Sequence, residues 1–415
     1  MRRILLIAAA VLLLSCGREN SNPAPRETVT GGEDWLVTIQ LPDAAVPVRL
    51  HLAEDGSEAW FGNGAEVVEV SEITRKPNGW TLRFPAFNNT VQLERAEDGY
   101  AGSLTLVKRG YEQVMPLAAR PYGGYRFLAD PQPANDFTGR WEVTFYEDDG
   151  TESHAVGEFD QQGSRLTGTF LTAKGDYRYL AGEVDGERLF LSTFDGAHAF
   201  VFIATALPDG SLNGDFWSGT RWHERWEARR NFDARLPDPY ELTYLREGYD
   251  RVEFSFPDLD GRPVSLDDPR YEGKVVLVTL AGTWCPNCGD EAEFLSAYYR
   301  ENRDRGLEIV TLLYEHFEDF ETAAGLGRAM RDKYGIGYDL LIAGSSDKTR
   351  AAETLPMLNH VLAYPTIIFI DRTGAVRGIH TGFSGPGTGE HYAAFKAEFN
   401  ALMDELLAGE APAGT

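Results

Sequence analysis

Cysteine is scarce. The 415 residues hold only Cys16, Cys285 and Cys288, which excludes a disulfide-stapled scaffold in a chain this long and leaves each cysteine to be explained singly. Basic residues are also few, 39 Lys and Arg against 64 Asp and Glu for a formal charge of −25. The chain therefore has no electrostatic support for a nucleic-acid partner, and an anionic membrane surface would repel it. Long apolar runs are missing except at residues 4–14, a stretch too short to span a bilayer comfortably. His51, His154, His198 and His223 stand singly in the first half, whereas a metal site needs several converging ligands. No metal or organic cofactor is implied. What is abundant, 43% hydrophobic residues with 43 glycines and 21 prolines, reads as ordinary globular protein with many turns, enough for two or three domains.

Residues 1–16 begin with Arg2 and Arg3, continue through the apolar run and end in Leu13-Leu14-Ser15-Cys16. The order charged, apolar, small is that of a signal peptide. The last four residues resemble the bacterial lipobox, which implies that Cys16 is lipidated and becomes the amino terminus after cleavage. A lipid-anchored, periplasm-facing protein of the bacterial cell envelope follows, and Gly17 in place of Asp favours the outer membrane over the inner. Residues 17–33, without apolar periodicity, read as a flexible tether.

From residue 34 to about 232 apolar and polar residues alternate in short runs, as in Trp35-Leu36-Val37-Thr38-Ile39 and Trp141-Glu142-Val143-Thr144-Phe145, broken by turns such as Asp148-Asp149-Gly150. This predicts antiparallel strands. Gly99 to Leu104 and Gly210 to Asp215, and Ala119-Arg120 and Ala228-Arg229, form a weak repeat at offsets of 210 − 99 = 111 and 229 − 120 = 109. Two copies of a barrel- or sandwich-like β module are expected, over 34–130 and 136–232. Trp217, Trp222 and Trp226 fit a strand core better than a ligand cavity, because no polar constellation accompanies them.

After a linker at 233–249 rich in proline and charge, residues 250–410 alternate strand-length apolar runs with helical stretches, an α/β pattern around a central sheet. Lys274 to Leu280 reads as a buried strand, Ala281 to Trp284 as a turn and Ala292 to Arg300 as helix. Further strands are expected over Ile309 to Leu313 and Tyr338 to Ile342, with a helix over Asp319 to Tyr334. Cys285-Pro286-Asn287-Cys288 thus falls where a central strand hands over to a helix, with Cys285 near the N-cap and Pro286 at the first helical position, where its missing N–H costs nothing. Unpaired N–H groups and the helix dipole there would lower the Cys285 thiol by a unit or more from about 8.5. Cys288, one turn later, is within reach to displace a mixed disulfide. A zinc site would want further cysteines or spaced histidines, and a disulfide closing so small a loop would add little stability.

These residues resemble the TlpA/ResA-like thiol–disulfide oxidoreductases of the thioredoxin superfamily, over roughly Phe254 to Leu407. The resemblance rests on Asp260-Gly261-Arg262-Pro263-Val264-Ser265-Leu266 with Gly273 to Val278, on Gly282-Thr283-Trp284-Cys285-Pro286-Asn287-Cys288, on Glu291, and on Tyr364-Pro365-Thr366 to Gly374. It implies a thioredoxin-like fold following the all-β region, and a redox disulfide between Cys285 and Cys288. Cys285 would be the nucleophile and Cys288 the resolving thiol. A cis Pro365 would present backbone to an extended substrate, Trp284 would pack beside the site, and Glu291 would assist proton transfer. The substrates would be disulfide-containing proteins or small thiols, reduced with electrons from a membrane donor.

Two departures stand out. Thioredoxin has a buried Asp six residues before the first active cysteine, and here that residue is Thr279. The dipeptide Pro286-Asn287 is not the pair usual in thioredoxin or ResA. Alternative readings remain. A thiol peroxidase of the AhpC/TSA type would want Pro and Thr seven and three residues before the cysteine, where this chain has Val278 and Gly282. Copper delivery of the Sco kind would want cysteines separated by three residues, where this chain has two between them, and a distal histidine, for which His316, His360 and His380 are the nearby candidates. In a third reading the β region is the working part, binding a ligand or partner.

Overall fold

The computed structural model describes residues 32–409; Cys16 and the expected signal peptide lie outside them. The first sheet comprises β1 (Gly32–Gln40), β2 (Ala45–Ala53), β3 (Ala59–Asn63), β4 (Glu66–Glu69), β5 (Glu72–Lys76), β6 (Gly79–Phe84), β7 (Asn89–Ala96), β8 (Gly99–Lys108) and β9 (Tyr111–Pro121). Its order is β4-β3-β2-β1-β9-β8-β7-β6-β5, with antiparallel neighbours and no pairing between β4 and β5, so it curls into an open half-barrel. Alternation decides which face turns inward: Trp35, Val37 and Ile39 of β1 are buried in its core.

The second sheet comprises β10 (Gly139–Tyr146), β11 (Glu152–Gln162), β12 (Arg165–Thr172), β13 (Gly175–Asp176), β14 (Leu180–Asp185), β15 (Arg188–Phe194), β16 (Ala199–Ala206), β17 (Leu212–Ser218) and β18 (Trp222–Arg230). Here β11 also pairs with β12, which closes the sheet into a barrel. The residues of the expected repeat take matching positions in the register. Val37 faces Ala119 and Leu36 faces Arg120 in the first sheet, and Val143 faces Ala228 and Glu142 faces Arg229 in the second. Trp226 is wholly buried in the second core, whereas Trp222 is largely exposed and Trp217 packs at the edge of the first core.

The opening of the half-barrel is filled by its neighbour. Phe194, Ala197, Ala199 and Val201, from β15, β16 and their turn, belong to the first core, and Phe194 meets Phe61 edge-on at 4.8 Å. Asn63 donates to the Phe194 carbonyl (2.9 Å) and Asn89 to that of Gly196 (2.9 Å), satisfying carbonyls that no strand pairs. The barrel therefore contributes to the half-barrel's apolar core as well as enclosing its own.

The stretch expected as a linker is tied down at both ends. Ala234 and Leu236 pack on Val156 and Leu171 of the barrel. The short helix α1 (Pro239–Leu242), capped by Asp238, sets Tyr240 edge-on against His380 at 5.0 Å. Beyond it come the hairpin β19 (Ser255–Pro257) and β20 (Pro263–Ser265), then a five-stranded sheet ordered β23 (Asp339–Ser345), β22 (Leu307–Glu315), β21 (Val275–Ala281), β24 (Thr366–Ile370), β25 (Val376–Thr381). The three strands β21, β22 and β23 run parallel, and β24 and β25 are antiparallel to their neighbours. Buried on both sides, β21 is apolar throughout except Thr279. The helices are α2 (Pro286–Asn302), α3 (Phe320–Tyr334), α4 (Lys348–Thr354) and α5 (Glu390–Ala408). An all-β region of half-barrel and barrel is thus followed by an α/β thioredoxin-like domain. No helix among the described residues is long and apolar enough to cross a membrane.

Candidate active site

The turn Gly282–Trp284 carries the chain from β21 into α2, and Cys285 is the N-cap of that helix with Pro286 as its first residue. Cys285 and Cys288 are joined as a disulfide with Cα atoms 5.3 Å apart, and the Cys288 N–H points at Cys285 Sγ (3.2 Å). A sulfur at this cap receives the N–H that a Ser or Asp cap would otherwise take. The Tyr364–Pro365 peptide is cis and leads into β24, the antiparallel neighbour of β21. It brings the Tyr364 carbonyl to 3.6 Å from Cys285 Sγ.

The end of β22 holds the turn from below. Trp284 Nε1 donates to the Tyr314 carbonyl (2.9 Å), and the indole stacks on His316 at 4.6 Å. Glu315, 1% exposed, accepts from the Thr283 N–H (2.9 Å) and the Thr283 hydroxyl (2.8 Å). Burial pushes its carboxyl up to about 7, against the opposing pull of those two bonds. No motif pointed to Glu315; its signal is an acidic residue continuing an apolar strand, Leu307 to Glu315.

Glu291 lies one helical turn after Cys288, buried on α2 with Oε1 lacking a partner. Burial alone holds its carboxyl well above the usual carboxylate range. Thr279 bonds Thr311 across the strands (2.8 Å), which satisfies both hydroxyls without a charge. Of the nearby histidines, His316 contacts the site through Trp284 and bonds Ser346 (2.9 Å). His360 is exposed on the surface, and His380 is buried, bonded to the Gly382 carbonyl (3.1 Å). In the β region His51, His154, His198 and His223 pair separately with Asp34, Thr144, Asp195 and Asp215.

A dithiol capping a helix that starts at the end of a central strand, with a cis-proline strand beside it, is the arrangement of thioredoxin-fold redox proteins. The AhpC/TSA family model matches residues 248–379. Thioredoxin-like protein YneN of Bacillus subtilis is 30% identical over 138 residues, 33% of this chain and 73% of that protein. Thiol-disulfide oxidoreductase ResA of Halalkalibacterium halodurans is 28% identical over 142 residues, 34% and 72% of the two chains. Among solved structures, a putative thiol:disulfide interchange protein DsbE from Chlorobium tepidum superimposes with a TM-score of 0.29 at 20% identity, covering 38% of this chain and 98% of that one. The chain belongs to the TlpA/ResA-like thiol–disulfide oxidoreductases of the thioredoxin superfamily, an enzyme class whose substrates are thiols and disulfides.

Proposed function

We propose that the protein reduces disulfides in the bacterial cell envelope through Cys285 and Cys288, anchored by lipid at Cys16, facing the periplasm and residing in the outer membrane. The observation that carries this reading is Cys285 at the cap of α2, where helix N–H groups favour a thiolate. In the reduced protein, Cys285 attacks a substrate disulfide, forming a mixed disulfide and releasing one substrate thiolate, which takes a proton. Cys288 then attacks Cys285 Sγ and expels the second substrate thiolate, closing the Cys285–Cys288 disulfide and leaving two electrons on the substrate. An external dithiol donor of the membrane must recharge it. Backbone beside Pro365 positions the substrate, and Glu291, whose carboxyl burial raises above the usual range, exchanges a proton with the thiols from the same helix.

The test is the reduction potential of the pair, measured by thiol labelling in dithiothreitol redox buffers with Cys285→Ser as control. A value near that of thioredoxin, about −270 mV, supports a reductase, and a value near about −120 mV makes the protein an oxidant. Absence of a reversible couple overturns the reading. The mixed disulfide should accumulate in Cys288→Ser and be seen by mass spectrometry.

A further inference from the structure

The face of the redox domain that carries the dithiol is not open to solvent. Cys285 retains 7% of its surface and Cys288 1%, and Pro286, Ala363, Tyr364, Pro365, Gly382 and Phe383 around them are buried as well. What covers one side is the barrel's own chain. The stretch from Ala173 to Tyr179, which includes the short strand β13, lies across the loop after β25 and the start of α2.

Its seating is specific. The Asn287 amide, inside the Cys-x-x-Cys motif, donates to the Asp176 carbonyl (3.1 Å), and the Asp176 carboxylate accepts from the Gly385 N–H (2.7 Å). Arg178 donates to the Pro286 carbonyl (3.2 Å), pairs with Asp290 of α2, and pairs with Glu66 of the half-barrel (2.5 Å). One guanidinium thus ties all three structural units together at the dithiol. It does so from a left-handed backbone, φ 56°, a conformation that a non-glycine residue adopts at a cost and that surrounding contacts must hold. The approach is close enough to require glycine on both surfaces. A Cβ on Gly175 would stand 2.8 Å from the Asn287 amide nitrogen, one on Gly382 3.2 Å from the Ala173 carbonyl, and one on Gly387 2.9 Å from the Arg178 backbone.

The joint is built mainly from polar contacts. Elsewhere along it Arg109 pairs with Asp347 (3.0 Å), His391 with Glu158 (2.9 Å), and Lys333 lies over the Phe87 ring at 4.8 Å. The apolar core of the redox domain contains no residue of the β region, and the two β cores contain none of the redox domain. Polar joints without a shared core are those that separate and re-form. The connecting chain allows it: Leu236 belongs to the barrel side and Tyr240 to the redox side, so movement is absorbed around Pro237 and Asp238.

We propose that the second β module is a built-in gate over the dithiol, with Asp176 and Arg178 as its specificity-determining residues, so that the closed chain exchanges with small thiols and disulfides and excludes protein substrates. The proposal deepens the reductase reading by naming the substrate class, and it rests on that reading. Electrons flow as in the exchange above, from the Cys285–Cys288 dithiol to a small disulfide, which leaves as two thiols.

The full chain, reduced with dithiothreitol and then freed of it, is mixed with hydroxyethyl disulfide or with insulin. The wild type is expected to reduce the small disulfide readily and insulin slowly. Gly387→Ala, whose new methyl meets the Arg178 backbone, and Arg178→Ala are expected to raise the insulin rate by about tenfold or more, the change produced when a closed arrangement favoured by roughly 1.4 kcal/mol is lost, while the small-disulfide rate moves by less than about twofold. Equal insulin rates in the wild type and the Gly387→Ala variant overturn the gate. A second measurement needs no variant: in the reduced wild type, Cys285 should be alkylated by iodoacetamide far faster, relative to a polyethylene-glycol maleimide, than a short dithiol peptide is, and an equal ratio overturns the gate. Exchange with neither disulfide in any chain defeats the reductase reading, while the alkylation ratio still decides the gate.

Discussion

Glu315 offers the sharpest test of the physical account of the site. Its carboxyl is buried under the active-site turn and pushed from 4.5 up to about 7. Between those values the unfolded chain has released the proton and the folded chain still holds it. The unfolded state then binds fewer protons, so stability falls as pH rises across that window. The difference amounts to about 3 kcal/mol, lost by pH 8 relative to pH 4. Glu66, Asp176 and Glu291 are also raised by burial and slope the same way, so the contribution must be isolated by difference. Glu315→Gln cannot ionise, yet it keeps an acceptor for one of the two Thr283 donors. Urea unfolding of the oxidised protein at several pH values should therefore show a stability loss on raising pH that is about 3 kcal/mol smaller in the variant. Identical pH slopes in the two proteins would refute the claim that burial dominates the two hydrogen bonds at Glu315. At pH 5, where both side chains are neutral, the variant should be weaker only by the one unsatisfied donor, about 1–3 kcal/mol.

Two other outcomes follow from the same packing. Glu291 has a buried oxygen without a partner, so Glu291→Met, similar in volume and apolar, should raise the melting temperature while slowing disulfide exchange, because functional groups are kept at a cost in stability; a lower melting temperature contradicts the reading. Phe194→Ala should cost about 3–5 kcal/mol and unfold the half-barrel together with the barrel, since a ring carried by the barrel's β15 fills the half-barrel's core; calorimetry that shows the first sheet melting separately and unchanged would count against this coupling.

The dithiol site was legible in the sequence because its parts are local. Strand, turn, N-cap cysteine and first-turn proline occupy consecutive positions, and their spacing alone sets Cys285 and Cys288 on one face of α2. Helix α3 was equally plain: Asp319 caps it, its side chain accepting from the Thr322 N–H (2.9 Å), and Gly335 ends it. The β strands were visible as two-residue alternation, and the residues of the expected repeat take matching register in the pairs Val37–Ala119 and Val143–Ala228.

Tertiary structure alone decided what lies around the dithiol. Glu315 reaches Thr283 across 32 residues, Asp176 meets Asn287 across 111, and Asn63 meets Phe194 across 131. A sequence period records which face of a strand is apolar, not which distant strand that face will meet. The second sheet closes through β11 and β12 while the first stays open between β4 and β5, so two similar patterns ended as a barrel and a half-barrel. The open one was left to be filled by Phe194, because an apolar face must be buried by whatever chain packs against it.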